Sequence, residues 1–256
     1  MKTKLSVIKV GGKIVEEEDS LKRLLHDFSK IEGSKILVHG GGRSATRIGE
    51  QLGIKSTMVD GRRITDMETL RVVTMVYGGL VNKNIVAGLQ SLGVNALGIT
   101  GADMDVIRSE KRPVKEIDYG FVGDVKHVKA DTLNMLLDAG IIPVLAPLTH
   151  DGKGNILNTN ADTIAAETAQ AMARYYNVTL VYCFEKKGVL MDENDNNSVI
   201  PQLDRINYKK YVDEGVIQGG MIPKLDNAFR SIDKGVTEVV ITQASDLGKN
   251  EGTRII

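Results

Sequence analysis

Two strand patterns in this chain run directly into glycine, and that junction restricts the fold more than any other feature. Val7-Ile-Lys-Val-Gly-Gly12 and Val38-His-Gly-Gly-Gly42 each place a short apolar run before a glycine turn. A glycine run lets the chain turn sharply and brings successive backbone N–H groups together with no Cβ atoms between them. Helical patterns separate the strand patterns, so the connections are crossovers, the pairing is mostly parallel and both sheet faces are covered. The fold class is therefore α/β.

The same periodicities order the remainder of the chain. Strands are predicted at 6–10, 35–39, 94–100, 141–146, 178–184 and 236–242. A helix starts at Asp19-Ser20, puts Leu21, Leu24, Leu25, Phe28 and Ile31 on one face, and stops at Gly33. Further helices are predicted at 44–52, at 161–174 behind an Asn160 cap, at 208–214, and from Pro223 as first helical residue to 234. The stretch 66–92 reads as helical but broken at Gly78-Gly79 and Gly88. Between 108 and 129 short alternating segments predict a hairpin excursion, and Asp151-Gly-Lys-Gly154 marks a turn. No repeat or linker divides the chain, so a single domain over 1–256 is expected.

Composition removes several function classes. With 33 Lys plus Arg against 33 Asp plus Glu, and with four Phe, seven Tyr and no Trp, nothing favours a nucleic-acid surface. The lone Cys183 excludes an internal disulfide, reads as a buried strand residue and suits a reducing compartment. The apolar run before Gly11 is too short for a signal segment, and no uninterrupted stretch approaches ~20 apolar residues. A cytoplasmic protein with neither a membrane nor a nucleic-acid partner is expected.

The glycine turns read either as plain tight turns or as phosphate-holding nests. No G-x-x-x-x-G-K-[ST] occurs. Gly40-x-Gly42-x-x-Ala45 with Asp60 fits a loose dinucleotide pattern, but the acid falls in a loop beside Arg62 and Arg63 and not at a strand end. Lys9 at the end of the first strand is costly to bury unpaired. Arg63 reads as projecting from a loop, a fork for a carboxylate or a solvated surface residue. In Asn158-Thr-Asn-Ala-Asp162, Asn160 accounts for the helix cap and leaves Asn158 and Asp162 free for a site. Lys224 follows Gly219-Gly220 in a first helical turn, where a cation opposes the helix dipole unless an anion lies between. The four histidines lack metal spacing, so no protein-ligated metal is expected, and 16–19 reads as a solvated acidic helix start.

Taken together, Ile8-Lys-Val-Gly-Gly12, His39-Gly-Gly-Gly42, Gly61-Arg-Arg-Ile-Thr65, Asn158-Thr-Asn-Ala-Asp162, Gly219-Gly-Met-Ile-Pro-Lys224 and Gly252-Thr-Arg-Ile255 resemble the amino-acid kinase family. Within it the chain looks most like the members that phosphorylate an N-acylated glutamate. The resemblance implies a three-layer α-β-α sandwich around a mainly parallel sheet. It also implies an amino-acid-substrate lobe (about 1–175) and a nucleotide lobe (about 176–256). The activity implied is transfer of the ATP γ-phosphate to the γ-carboxylate of N-acetyl- or N-succinylglutamate, in arginine biosynthesis, with Mg²⁺ carried on the ATP.

By the same resemblance, Lys9 and Lys224 stabilise the transferring phosphoryl group and Asp162 holds both lysines. Gly11 donates to the phosphate; Gly41, Gly42, Arg63 and Asn158 bind the acceptor, Arg63 through its α-carboxylate. Glu185, Lys186, Gly188, Val216 and Gln218 fall where the family contacts the nucleotide. The chain departs from the family at Phe184-Glu-Lys-Lys-Gly188, where Thr/Ser-Asp-Val-x-Gly is common. Arginine-inhibited members carry a helix before the first strand; four residues precede Leu5 here, which implies a homodimer without arginine feedback and not a hexamer. The alternatives are a sister kinase for aspartate, glutamate, carbamate or UMP, or a non-catalytic nucleotide-binding member.

Overall fold

In the computed structural model, which describes residues 2–59, 61–249 and 251–256, the apolar runs between glycines become the strands of one large sheet. Asp60 lies outside the described residues. The chain begins with β1 (Lys4–Val10), α1 (Gly12–Glu16), α2 (Glu18–Ser29), β2 (Ser34–His39) and α3 (Gly42–Gln51). Two short strands, β3 (Met58–Val59) and β4 (Arg62–Arg63), precede a helical run of α4 (Met67–Val73), a π-helical segment (Thr74–Val81) and α5 (Asn82–Ser91). Then come β5 (Ala96–Ile99), β6 (Ile107–Lys111), β7 (Gly123–Val128), α6 (Ala130–Asp138), β8 (Ile142–Leu145), β9 (Leu148–His150) and β10 (Ile156–Asn158). The last part holds α7 (Ala161–Met172), β11 (Asn177–Phe184), β12 (Gln202–Leu203), α8 (Arg205–Asp213), α9 (Met221–Asp233), β13 (Glu238–Gln243) and β14 (Thr253–Ile255).

The eight-stranded sheet has the order β12-β14-β13-β11-β1-β2-β8-β5, and only the β13–β14 pair is antiparallel. Each face has its own core. Leu5, Val7, Leu180 and Tyr182 pack with Ile164 of α7 and Leu225 and Phe229 of α9 on one side. Ile8, Val10 and Cys183 pack with Leu24 and Phe28 of α2 and Ile85 and Leu89 of α5 on the other. These are the three layers of an α-β-α sandwich. The 108–129 excursion is the antiparallel β6–β7 pair within a four-stranded sheet, β10-β9-β6-β7.

Several local expectations are corrected. Gly78-Gly79 does not break the helix; the chain continues through it with π-helical turns from Thr74 to Val81. Gly88 is no kink either: it lies inside α5, and a Cβ there would come 2.6 Å from Leu25 Cδ1, so a side chain at this position would have to push the Leu25 terminus aside where α2 packs on α5. Pro223 is the third helical residue and not the first, because α9 begins at Met221; an N–H missing from the first turn leaves no intrahelical bond unmade. The acidic run is also divided: α2 starts at Glu18, while Glu16 accepts a hydrogen bond from the Ser44 N–H at the start of α3. Residues 67–91 have the length and apolar composition of a membrane span despite Glu68, Arg71 and Lys83, yet Leu70, Val73, Val76, Ile85 and Leu89 lie buried in the core.

Candidate active site

The first glycine turn ends the strand that carries Lys9. Period two along β1 puts Lys9 on the same face as Leu5 and Val7, opposite Tyr182 in the parallel register with β11. That face is covered by α7 and α9, whose first turns supply Asp162 and Lys224. Lys9 Nζ lies 2.7 Å from Asp162 Oδ1, with only a tenth of the lysine side chain exposed. Asn160 caps α7 through its side chain, accepting from the Asp162 and Thr163 N–H groups, and so fixes where Asp162 begins. Burial holds the half-buried Lys224 ammonium below the ordinary lysine range; Lys9 pushes the same way and Asp162 opposes. Both ammonium groups lie against the Phe184 ring, Lys9 at 5.2 Å and Lys224 at 4.0 Å from its centroid.

The two glycine turns pack back to back. A Cβ on Gly40 would come within 3.0 Å of Gly12 N, and one on Gly41 within 3.0 Å of the Tyr77 ring, so a side chain at either position would force its neighbours to give way. The second turn is tied to the core by His39. Its Nδ1 bonds the Gly40 carbonyl at 2.7 Å, so that nitrogen donates, and Nε2 accepts from Asn82 Nδ2 at 3.1 Å. Complete burial lowers the His39 pKa to about 4, which keeps the ring neutral.

Two cavities meet at these turns and share Gly42. The smaller, about 170 Å³, is bordered by Gly40, Gly41, Gly42, Arg63, Tyr77 and Asn158. Arg63 does not project from a loop into solvent; it sits on β4 and is 6% exposed. Its Nη2 donates to Gly42 O at 2.8 Å and Thr46 Oγ1 at 2.9 Å, and its Nη1 donates to Ser56 Oγ. These acceptors are neutral, so the buried guanidinium is oriented but not neutralised by them, an arrangement suited to an incoming carboxylate. Asn158 is buried and donates to Thr65 Oγ1 at 3.0 Å.

The larger cavity, about 600 Å³, takes in Gly11, Glu185, Lys186, Gly188, Gln218 and Lys224. Val216 does not border it; this residue faces an adjoining space of about 390 Å³ shared with Lys186, Gly188 and Gln218. Glu185 lies 3.4 Å from Lys13 Nζ and 3.6 Å from Arg43 Nη2, bridging both glycine turns from the end of β11. Lys13, Arg43, Tyr77 and Phe184 were not singled out as candidates from the sequence. The first two directly follow glycine turns, which is the signal that would have found them; Tyr77 is hidden within a long apolar helix. Among the described residues no group of three or more His, Cys, Asp or Glu could hold a metal ion.

Chemically, this arrangement can hold one carboxylate in a small preformed cavity and a large polyanion in an open one, with Lys224 bordering the larger cavity and Lys9 against the same Phe184 ring. Comparison with known proteins points the same way. The amino acid kinase family matches residues 4–243. The chain is 71% identical over 255 residues to the acetylglutamate kinase of Bacteroides thetaiotaomicron, covering all of this chain and 99% of that one. It is 69% identical over 252 residues to the acetylglutamate kinase of Parabacteroides distasonis, covering 98% and 99%. In fold it is similar to a carbamate kinase of Giardia lamblia bound to AMP-PNP, with a TM-score of 0.73 at 14% identity over 99% of this chain and 98% of that one.

Proposed function

The chain belongs to the amino acid kinase family, and from that premise we propose the reaction and the role of each residue. It is an ATP-dependent kinase that phosphorylates the γ-carboxylate of N-acetyl-L-glutamate to an acyl phosphate, a step of arginine biosynthesis. The observation that carries the residue-level reading is the meeting of Lys9, Asp162 and Lys224 beside the paired glycine turns. A γ-carboxylate is ionised at neutral pH, so the acceptor needs no general base. The barrier lies in bringing an anion to a polyanion, and catalysis becomes a matter of position and charge.

In this reading Arg63 and Asn158 hold the acceptor, with Arg63 on its α-carboxylate, while the Gly41 and Gly42 N–H groups border the reacting end. Lys9 and Lys224 offset the charge that spreads over the transferring phosphoryl group. Asp162 keeps Lys9 extended toward it. Gly11, Glu185, Lys186, Gly188 and Gln218 surround the nucleotide, and Val216 borders the adjoining space. Mg²⁺ enters as part of the nucleotide substrate, since the carboxylate nearest the lysines is already paired with Lys9. An acceptor lobe of about 1–175 and a nucleotide lobe of about 176–256 accord with the smaller cavity's lining, which comes entirely from residues 40–161.

We further infer a cytoplasmic homodimer. Strand β5 is a sheet edge paired only with β8 among the described residues, and Leu97 on it is 38% exposed, with Met75 and Leu80 on the neighbouring helical run also exposed. An open apolar edge of this kind is commonly covered. Coupled ADP release with N-acetylglutamate, N-succinylglutamate, glutamate and aspartate tests the substrate reading. Turnover should be fastest with N-acetylglutamate, and none with any acylated glutamate would overturn it.

A further inference from the structure

We propose that Phe184 is a positioning residue of the transfer site, its ring being the shared surface on which the Lys9 and Lys224 side chains are held side by side. The proposal rests on the role given above to those lysines. Phe184 is the last residue of β11 and lies on the face that carries Leu180 and Tyr182, under the first turns of α7 and α9. Two elements therefore bring a cation to one ring, β1 with Lys9 and α9 with Lys224, while α7 brings Asp162 to Lys9.

Two like charges gathered in a half-buried place repel, and the carboxylate beside them pairs with only one of them. Asp162 is engaged at 2.7 Å by Lys9. Among the described residues no carboxylate lies within ion-pair distance of Lys224; the Phe184 ring, with its centroid 4.0 Å from Nζ, is the partner it has. An aromatic face carries negative charge density and attracts a partly desolvated ammonium without drawing it away from an incoming phosphate, as a second carboxylate would. The ring itself is fixed. Tyr182 stacks on it at 5.9 Å between centroids with planes 14° apart, and the Tyr182 hydroxyl donates to the Asp162 carbonyl at 3.4 Å. The departure from Thr/Ser at this position thus has a structural counterpart: the aromatic side chain joins both lysines.

Removing the aromatic face while keeping apolar bulk isolates this role, so Phe184→Leu is the central variant, with Phe184→Met in reserve should the first not fold. The charged groups bearing on Lys224 are Asp162 and Lys9. Lys13, Arg43, Glu185, Lys186 and Glu193 border the same cavity. None of these is changed by the substitution. In F184L, kcat should fall roughly threefold to thirtyfold, the range for one desolvated cation–aromatic contact, with the acceptor KM held within about twofold. The alkaline limb of kcat should move to lower pH. Phe184→Tyr should restore both.

A second readout needs no turnover: the Lys224 signal in NMR of isotopically labelled lysines, assigned with K224R, titrated without nucleotide. It should titrate at a pH lower by about half a unit or more in F184L, and at the wild-type value in F184Y. An unchanged titration in F184L, or failure of F184Y to restore it, would overturn the proposal. Should wild type show no turnover with an acylated glutamate, the function reading falls, while the titration still decides the role of Phe184.

Discussion

The two cavities that share Gly42 are built differently. The smaller is made of buried, hydrogen-bonded groups: Arg63 locked by Gly42, Thr46 and Ser56, Asn158 by Thr65, and the Gly40 turn by His39. The larger is wide and bordered by exposed charges, with Glu185 about half exposed between Lys13 and Arg43. A buried network has one arrangement and resists change, whereas exposed pairs exchange readily with water and ions. On the proposed assignment, the acceptor's shape is read by the rigid smaller cavity, and the large flexible nucleotide is received by the yielding larger one.

The largest effect should come from Lys224, which borders the larger cavity. Lys224→Ala should lower kcat by on the order of 10²–10³, the scale for losing one stabiliser of transition-state charge. Unchanged kcat would remove Lys224 from the reaction. Next is the pH dependence of folding on the rigid side. His39 is neutral in the fold with a pKa of about 4, against ~6.5 when unfolded. The unfolded chain therefore binds more protons between these values, and stability rises with pH across that window. The His39 contribution is complete above pH ~6.5 and is lost as pH falls, by up to about 3 kcal/mol near pH 4. Denaturant melts of wild type and His39→Gln across that range should diverge by this slope, and parallel curves would show that the buried ring does not titrate with unfolding.

Arg63→Ala should raise the acceptor KM roughly tenfold to a hundredfold, the ~1.5–3 kcal/mol of a hydrogen-bonded charged group, and change the ATP KM far less. An effect confined to ATP would reverse the assignment of the two cavities. The smallest change is expected at the open mouth: Glu185→Gln should alter the ATP KM by less than about threefold, because exposed ion pairs contribute ~0–1 kcal/mol. A tenfold shift there would mean that the nucleotide side is also a fixed network.

What the chain showed in advance follows the range of the forces involved. Strands that end in glycine and the Asn160 cap depend on neighbours in sequence, and β1, β2 and α7 lie where those signals put them. Gly88 was misread because its cause, Leu25 on another helix, is remote in sequence. Arg63 gave the same difficulty, since its acceptors at Gly42 and Thr46 arrive only through the tertiary fold. Helix α6 (Ala130–Asp138) went unpredicted: Leu133 and Leu136 are buried against the sheet while exposed Met135 blurs the apolar face. The lysines and Asp162 were legible as residue types in motifs; that both lysines converge on Phe184 was not, because aromatic contacts leave no spacing in the sequence.

The most direct test is to run the reaction with ATP and N-acetyl-L-glutamate in the presence of hydroxylamine, which captures an acyl phosphate as its hydroxamate. Phosphorylation of the γ-carboxylate predicts hydroxamate in amounts equal to the ADP released. ADP without hydroxamate, or neither product with any N-acylated glutamate, would contradict it.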